Sequence, residues 1–174
     1  MSMMKTNPNP TPEFTNVVNV GEAQEENSKQ ATADFAEAFT LCMTREDIEG
    51  VVKLFAPDGE WVIMATGELF RGPDQIRQLA RRSVAARDHR AGMGIQPTNV
   101  FTDANGTRLC WEYTHTGVVT DQWPALSRKP VSGTQFELPI VLICDIRQSK
   151  LVKIREYFDL LTLTEAGIPH RLYS

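Results

Sequence analysis

The run Lys150-Leu-Val-Lys-Ile-Arg-Glu-Tyr-Phe-Asp-Leu-Leu161 constrains this chain more than any other stretch, because it reads as one long strand that is apolar in both registers. Side chains alternate across a strand, so Arg155, Tyr157, Asp159 and Leu161 share one face, and Ile154, Glu156, Phe158 and Leu160 share the other. Neither face is polar throughout. A strand of that kind is covered on both sides, which calls for a layered fold. It also puts Asp159 in a closed environment, where a carboxylate is costly unless hydrogen-bonded. Such a group is either a satisfied structural anchor or a functional one, and Asp159 is the leading candidate for chemistry.

The strands before it follow the same logic. Phe136 to Arg147 is a second apolar strand, joined to the first through a tight turn near Ser149. Ile95 to Asp103 and Thr107 to Val119 flank Asn105-Gly106, a strong hairpin signal because both central residues tolerate positive φ. In the second arm Leu109, Trp111, Tyr113 and His115 share a face. Glu60 to Met64 and Glu68 to Arg71 form a small hairpin about Thr66-Gly67, while Asp121 to Thr134 reads as a long loop. Gly94, Gly117 and Pro139 are candidate bend or bulge points.

Three helices precede or interrupt these strands. Phe35, Ala38, Phe39 and Cys42 fall at helical spacing, Ile48, Val51, Val52 and Phe55 repeat it, and Ile76, Leu79, Ala80 and Ser83 approach it. Thr44 with Asp47 is a capping signal for the second helix, which Pro57 ends. Gly72-Pro73-Asp74 opens the third, whose opposite face carries Arg77, Arg81, Arg82 and Arg87. That face reads as solvated rather than as an anion site. Helices followed by long strands predict an α+β fold, a cone-shaped roll with three helices packed in the concave face of a strongly curved, mostly antiparallel sheet.

Composition bounds the rest. With 41% hydrophobic residues in 174 and a net charge of -4, the chain forms one domain with an adequate core and offers no basic surface for nucleic acid. Residues 1 to 27, with alternating prolines at Pro8, Pro10 and Pro12, read as an extended or disordered arm, leaving 28 to 174 as the domain. No signal peptide or membrane span is evident, so a cytoplasmic location and no membrane partner are expected. Cys42, Cys110 and Cys144 lie apart in apolar segments and read as buried thiols, with neither a disulfide framework nor a zinc site. No phosphate loop, nucleophile elbow or metal-spaced cluster occurs, so neither metal nor cofactor is expected.

Lys150 to Asp159, followed by Leu163 and Ala166-Gly167-Ile168, resembles the last strand of the SnoaL-like polyketide cyclase family. That family lies in the nuclear transport factor 2-like superfamily, with ketosteroid isomerases and limonene epoxide hydrolases. Its pattern runs Gly-Lys-Ile, a gap, Tyr-Phe-Asp, then Leu and a Leu-Gly pair; Ser149 stands in place of the glycine and Ala166 of the leucine. Gly67, Phe70 and Gly72-Pro73 resemble the superfamily's small hairpin, and His115-Thr-Gly117 its His-Thr-Gly segment. The resemblance spans residues 28 to 168. It implies that the cone is a ligand pocket, that the outer sheet face forms a homodimer, and that Asp159 is a general acid/base with His115 as its partner.

His115 stands in an apolar strand, where a histidine is either a hydrogen-bonded structural residue or an active one. Trp61, Trp111, Tyr113 and Phe136 line a pocket or pack a core, and Tyr157 belongs to the motif or simply packs. One carboxylate and one imidazole among aromatic rings suit proton abstraction beside a carbonyl, with a donor stabilising the enolate. The reading is therefore a cofactor-free cyclase, isomerase or dehydratase for a small apolar carbonyl compound. Its alternative is a non-catalytic binding or dimerisation module of the same fold. Epoxide hydrolysis, which needs an Asp-Arg-Asp set, is the lesser alternative: Arg155 and Asp159 stand roughly 13 Å apart along the strand, and Asp145 is a weak third member. Convergence of His115, Tyr157 and Asp159 on the cone favours chemistry, whereas a filled apolar core favours the module.

Overall fold

The computed structural model describes residues 22–88, 93–103, 105–122 and 132–159. Its three helices are α1 (Glu22–Thr44), α2 (Ile48–Leu54) and α3 (Gly72–Ala85). Helix α1 begins six residues earlier than the arm boundary read from the sequence, so residues 22–27 are helical. The run Glu22-Ala-Gln-Glu-Glu is rich in helix formers and lies beyond the last proline of the arm. The remainder of that arm, 1–21, and the end of the expected domain, 160–174, lie outside the described residues, as does most of the 121–134 loop. Ala36, Phe39 and Met43 are the deepest side chains of α1, one stripe at i, i+3 and i+7. No helix among the described residues is long and apolar enough to cross a membrane.

Helix α2 is capped by Asp47, whose side chain accepts from the backbone N–H of Gly50 at 2.8 Å. Thr44 instead ends α1. The chain leaves α2 at Phe55 and enters β1 (Phe55–Ile63) directly, so Pro57 sits inside a strand rather than stopping a helix. A register shift between Phe55 and Glu60 accommodates it, which is where a residue without an N–H is tolerated in a sheet. Helix α3 has Pro73 in its first turn, as expected, and buries Ile76, Leu79 and Ala80.

Two arginines of α3, Arg77 and Arg82, are ion-paired. Arg77 reaches Glu49 of α2 at 2.6 Å and Asp74 at 2.7 Å. Arg82 donates to both oxygens of Glu68, on β2 (Glu68–Arg71), at 2.8 and 3.1 Å, and its guanidinium lies 5.1 Å from the centre of the Phe70 ring. The bond from Arg82 holds the Glu68 carboxyl below the usual glutamate range. A carboxyl depressed in the folded state contributes stability above its unfolded pKa of about 4.3 and loses it as pH falls through the lower folded value. Arg82→Met should therefore destabilise the protein at pH 7 and do so much less near pH 3, as read from urea midpoints. Equal losses at both pH values would assign the effect to packing over Phe70.

The strands β1, β2, β3 (Arg87–Asp88), β4 (Gly94–Thr102), β5 (Arg108–Val119), β6 (Gln135–Arg147) and β7 (Lys150–Phe158) form one curved, open sheet. Its order is β2-β1-β7-β6-β5-β3, with β4 also paired to β5. Every pairing is antiparallel except β1 with β7, so the sheet is mostly antiparallel as expected. Gln148 and Ser149 both take positive φ (49° and 55°), the backbone of a two-residue hairpin between β6 and β7. Pro139 stays in register opposite Thr114; the sheet is irregular instead at Pro97/Asn99 and Asp145/Ile146. Gly117 does mark a close approach, since a Cβ there would meet the Phe136 ring at 2.9 Å. One face of the sheet buries Leu109, Trp111, Tyr113, His115, Leu138, Ile140, Leu142, Cys144, Leu151 and Ile154 in the same core as helix residues such as Phe39 and Ile76. This is the α+β roll, helices in the concavity, that the sequence order called for.

Candidate active site on the concave sheet face

Register decides which polar groups look inward. On β5 from Arg108 to Thr116 the odd residues are buried and the even ones are not, so Trp111, Tyr113 and His115 point into the concavity; at the strand's end Val118 and Val119 are both buried. Strand β6 pairs Leu142 with Trp111, Ile140 with Tyr113 and Leu138 with His115. Strand β7 pairs Glu156 with Leu142, and β1 pairs Ile63 with Glu156. One row across the sheet therefore runs Ile63, Glu156, Leu142, Trp111. The inward carboxylate of β7 is Glu156, at 8% exposure, and Asp159 lies one residue beyond the strand on the exposed side.

This corrects the expectation that Asp159 sits in a closed environment. Both faces of the β7 sequence look apolar, and only the pairing with β6 and β1 shows that Ile154 and Glu156 belong to the core while Arg155 and Tyr157 face out. Tyr157, at 38% exposure, and Asp159 line a hollow of about 650 Å³ on the outer face, together with Thr98, Glu112, Pro139 and Val141. His115, Tyr157 and Asp159 consequently do not converge. The outer face also carries the ion pair of Arg155 with Asp145, at 3.0 Å, so these two members considered for an Asp-Arg-Asp set lie outside the cone.

Glu156 is held rather than loose. The indole Nε1 of Trp61 donates to its Oε2 at 2.9 Å, a buried bond that ties β1 to β7. Trp61 is 3% exposed and sits opposite Ile154, with its ring against Phe39 at 5.6 Å and stacked on Phe55 at 5.9 Å. Phe39 also meets Trp111 edge-on at 5.5 Å, and Trp111 packs on Tyr113 at 4.7 Å. His115 is 1% exposed with Phe136 across its edge at 5.6 Å. The aromatic residues read as lining or core are thus all inward except Tyr157.

A buried carboxylate among aromatic rings can accept a proton from carbon, and apolar walls keep water from competing. Thiol chemistry is not offered by Cys144, because burial pushes it up to about 12. Among the described residues no three His, Cys, Asp or Glu side chains gather where they could hold a metal ion. Shared parity put Glu156 on the face of Ile154 in the sequence, but nothing local said that this face is the inward one.

The fold has many relatives of known structure. A protein from Catenulispora acidiphila, solved with trimethylamine and described as having a ketosteroid isomerase-like fold, matches with a TM-score of 0.64 and 19% identity over 82% of this chain and 99% of that one. A proposed polyketide cyclase from Xanthomonas campestris pv. campestris gives 0.66 and 17% over 80% and 98%. An epoxide hydrolase of Mycobacterium tuberculosis, similar to limonene epoxide hydrolase, gives 0.58 and 16% over 80% and 90%. At these identities the likeness is one of fold. No curated protein sequence matches the chain significantly. The family model of the SnoaL-like domain matches residues 34–154, which hold α2, α3 and all of β1 to β6, and the chain belongs to that family.

Proposed function

We propose that this protein is a cofactor-free acid/base enzyme acting on a small apolar carbonyl compound, a cyclase, isomerase or dehydratase, with Glu156 as the base. The observation that carries the reading is a carboxylate held by Trp61 on the concave face of the sheet. Desolvating a carboxylate is costly, and a purely apolar core would be served better by a leucine at this position. The acid/base role read above for Asp159 passes in this proposal to Glu156. His115 stands four residues along β5 from Trp111, roughly 13 Å, and so bounds the far end of the same face rather than touching Glu156. Tyr113 lies between them.

The relatives described as polyketide cyclases and as having a ketosteroid isomerase-like fold support the same class. The epoxide hydrolase relative supports it less, because Arg155 and Asp145 pair on the outer face. The non-catalytic module is favoured by one observation: the void behind Phe39 and Trp111 is only about 10 Å³, so that end of the core is filled. Incubation with 2-cyclohexen-1-one in deuterium oxide tests between them. Deuterium entering beside the carbonyl faster than in buffer, and not with Glu156→Gln, supports the enzyme. Exchange no faster than buffer in the parent sinks it in favour of the module.

The partner proposed is a second copy of the chain, joined through the outer sheet face. Phe101 there is 54% exposed, next to Cys110, and Pro139, Val141, Ile143 and Tyr157 continue the apolar surface across β6 and β7. Light scattering at micromolar concentration should give a dimer mass for the parent and a monomer mass for Val141→Arg. A monomeric parent rules the interface out.

A further inference from the structure

Two indole N–H groups face the concavity, and they differ in one respect. Trp61 donates to Glu156, whereas Nε1 of Trp111, on a residue 1% exposed, finds no hydrogen-bond acceptor among the described residues. A buried donor left unmade is costly, so an unpaired one on the same inward row as a candidate base points to an acceptor that arrives with a ligand. The void next to Trp111, about 10 Å³, has room for at most one water, and its other walls are apolar side chains and Cys144. A water there would lack the second and third partners it needs.

We propose that the Trp111 indole N–H anchors the carbonyl oxygen of the substrate, across the concave face from Glu156. The assignment rests on the acid/base reading of that face and deepens it: the ligand must carry an acceptor, and the donor lies where enolate charge would develop. Trp111 and Glu156 share one register row with Leu142 between them, about 10 Å apart at the Cα atoms for two strand spacings. A ligand that gives a carbonyl oxygen to the indole, at a hydrogen-bond length of about 2.9 Å, and an α-proton to Glu156 has to reach across that row. Glu156 then takes the α-proton, the electron pair moves onto oxygen, and the indole stabilises that charge. Phe39, packed on both indoles from α1, is the side chain such a ligand would displace. The competing arrangement is an N–H directed at the Phe39 ring, whose plane lies at 84° to that of Trp111.

The test uses the full chain labelled with ¹⁵N at its indoles, the three signals being assigned with Trp61→Phe, Trp111→Phe and Trp123→Phe. Titration with 2-cyclohexen-1-one should move the Trp111 indole proton downfield, and cyclohexene, which has no acceptor, should not. Trp111→Phe should weaken ketone binding about three- to tenfold and leave cyclohexene within twofold. A Trp111 proton held upfield by the Phe39 ring and unmoved by ketone overturns the proposal, as does equal ketone affinity in Trp111→Phe or no ketone binding at all. Failure of the base reading looks different. There the Trp111 shift persists in parent and Glu156→Gln alike, while neither exchanges deuterium.

Discussion

Glu156→Gln is expected to slow deuterium exchange by about 10² to 10⁴ while leaving the protein folded, the range that removal of a positioned general base produces. The amide keeps the shape of the side chain, and its Oε1 can accept from the Trp61 indole in place of the carboxylate oxygen. What it loses is basicity. The loss should therefore fall on kcat and kcat/KM together, with KM for the ketone changed by less than threefold. Asp159→Asn is the control, because Asp159 is exposed and lines the outer hollow; it should stay within twofold of the parent. The reverse outcome, exchange lost with Asp159→Asn and retained with Glu156→Gln, would return the base to Asp159 and remove the concave face from the mechanism.

The contrast between those two carboxylates marks how far the sequence alone could be read. Periodicity and turn chemistry were local, and they placed three helices, the Asn105-Gly106 hairpin and the long final strand close to where they stand. Alternation on β5 put Trp111, Tyr113 and His115 on one face correctly, because its even positions, Glu112 and Thr114 among them, are plainly more polar. Strand β7 offers no such cue. Its outer face carries Arg155 and Tyr157 over the half-buried side chains of β6 and its inner face carries Ile154 and Glu156, so each parity mixes charged and apolar groups. The tie is broken by the parallel pairing of β1 with β7, a contact between residues nearly a hundred apart in sequence that no local pattern encodes. The start of α1 was missed for a related reason: proline-rich composition upstream outweighed six helix-compatible residues at 22–27.

Trp61→Ala should remove about 3 to 5 kcal/mol of stability, the usual range for deleting a large buried aromatic side chain. The indole is 3% exposed, touches Phe39 and Phe55, and joins the parallel β1–β7 pair by its bond to Glu156. Against a typical domain stability of about 5 to 15 kcal/mol, that loss brings the protein near its threshold at ordinary temperature. Trp61→Phe separates the contributions. Phenylalanine keeps most of the ring contact but has no N–H, so Glu156 is left without this donor and the cost should be about 1 to 3 kcal/mol. Repeating the substitution in a Glu156→Leu background removes the group that needed the donor. There Trp61→Phe should cost about 1 kcal/mol or less, and the difference between backgrounds measures the coupling across the two strands. Urea unfolding followed by circular dichroism reads all four corners of this cycle. If Trp61→Phe costs the same in both backgrounds, the indole contributes only as a packed ring, Glu156 draws its stability from other groups, and Trp61 has no part in aiming the carboxylate at a ligand.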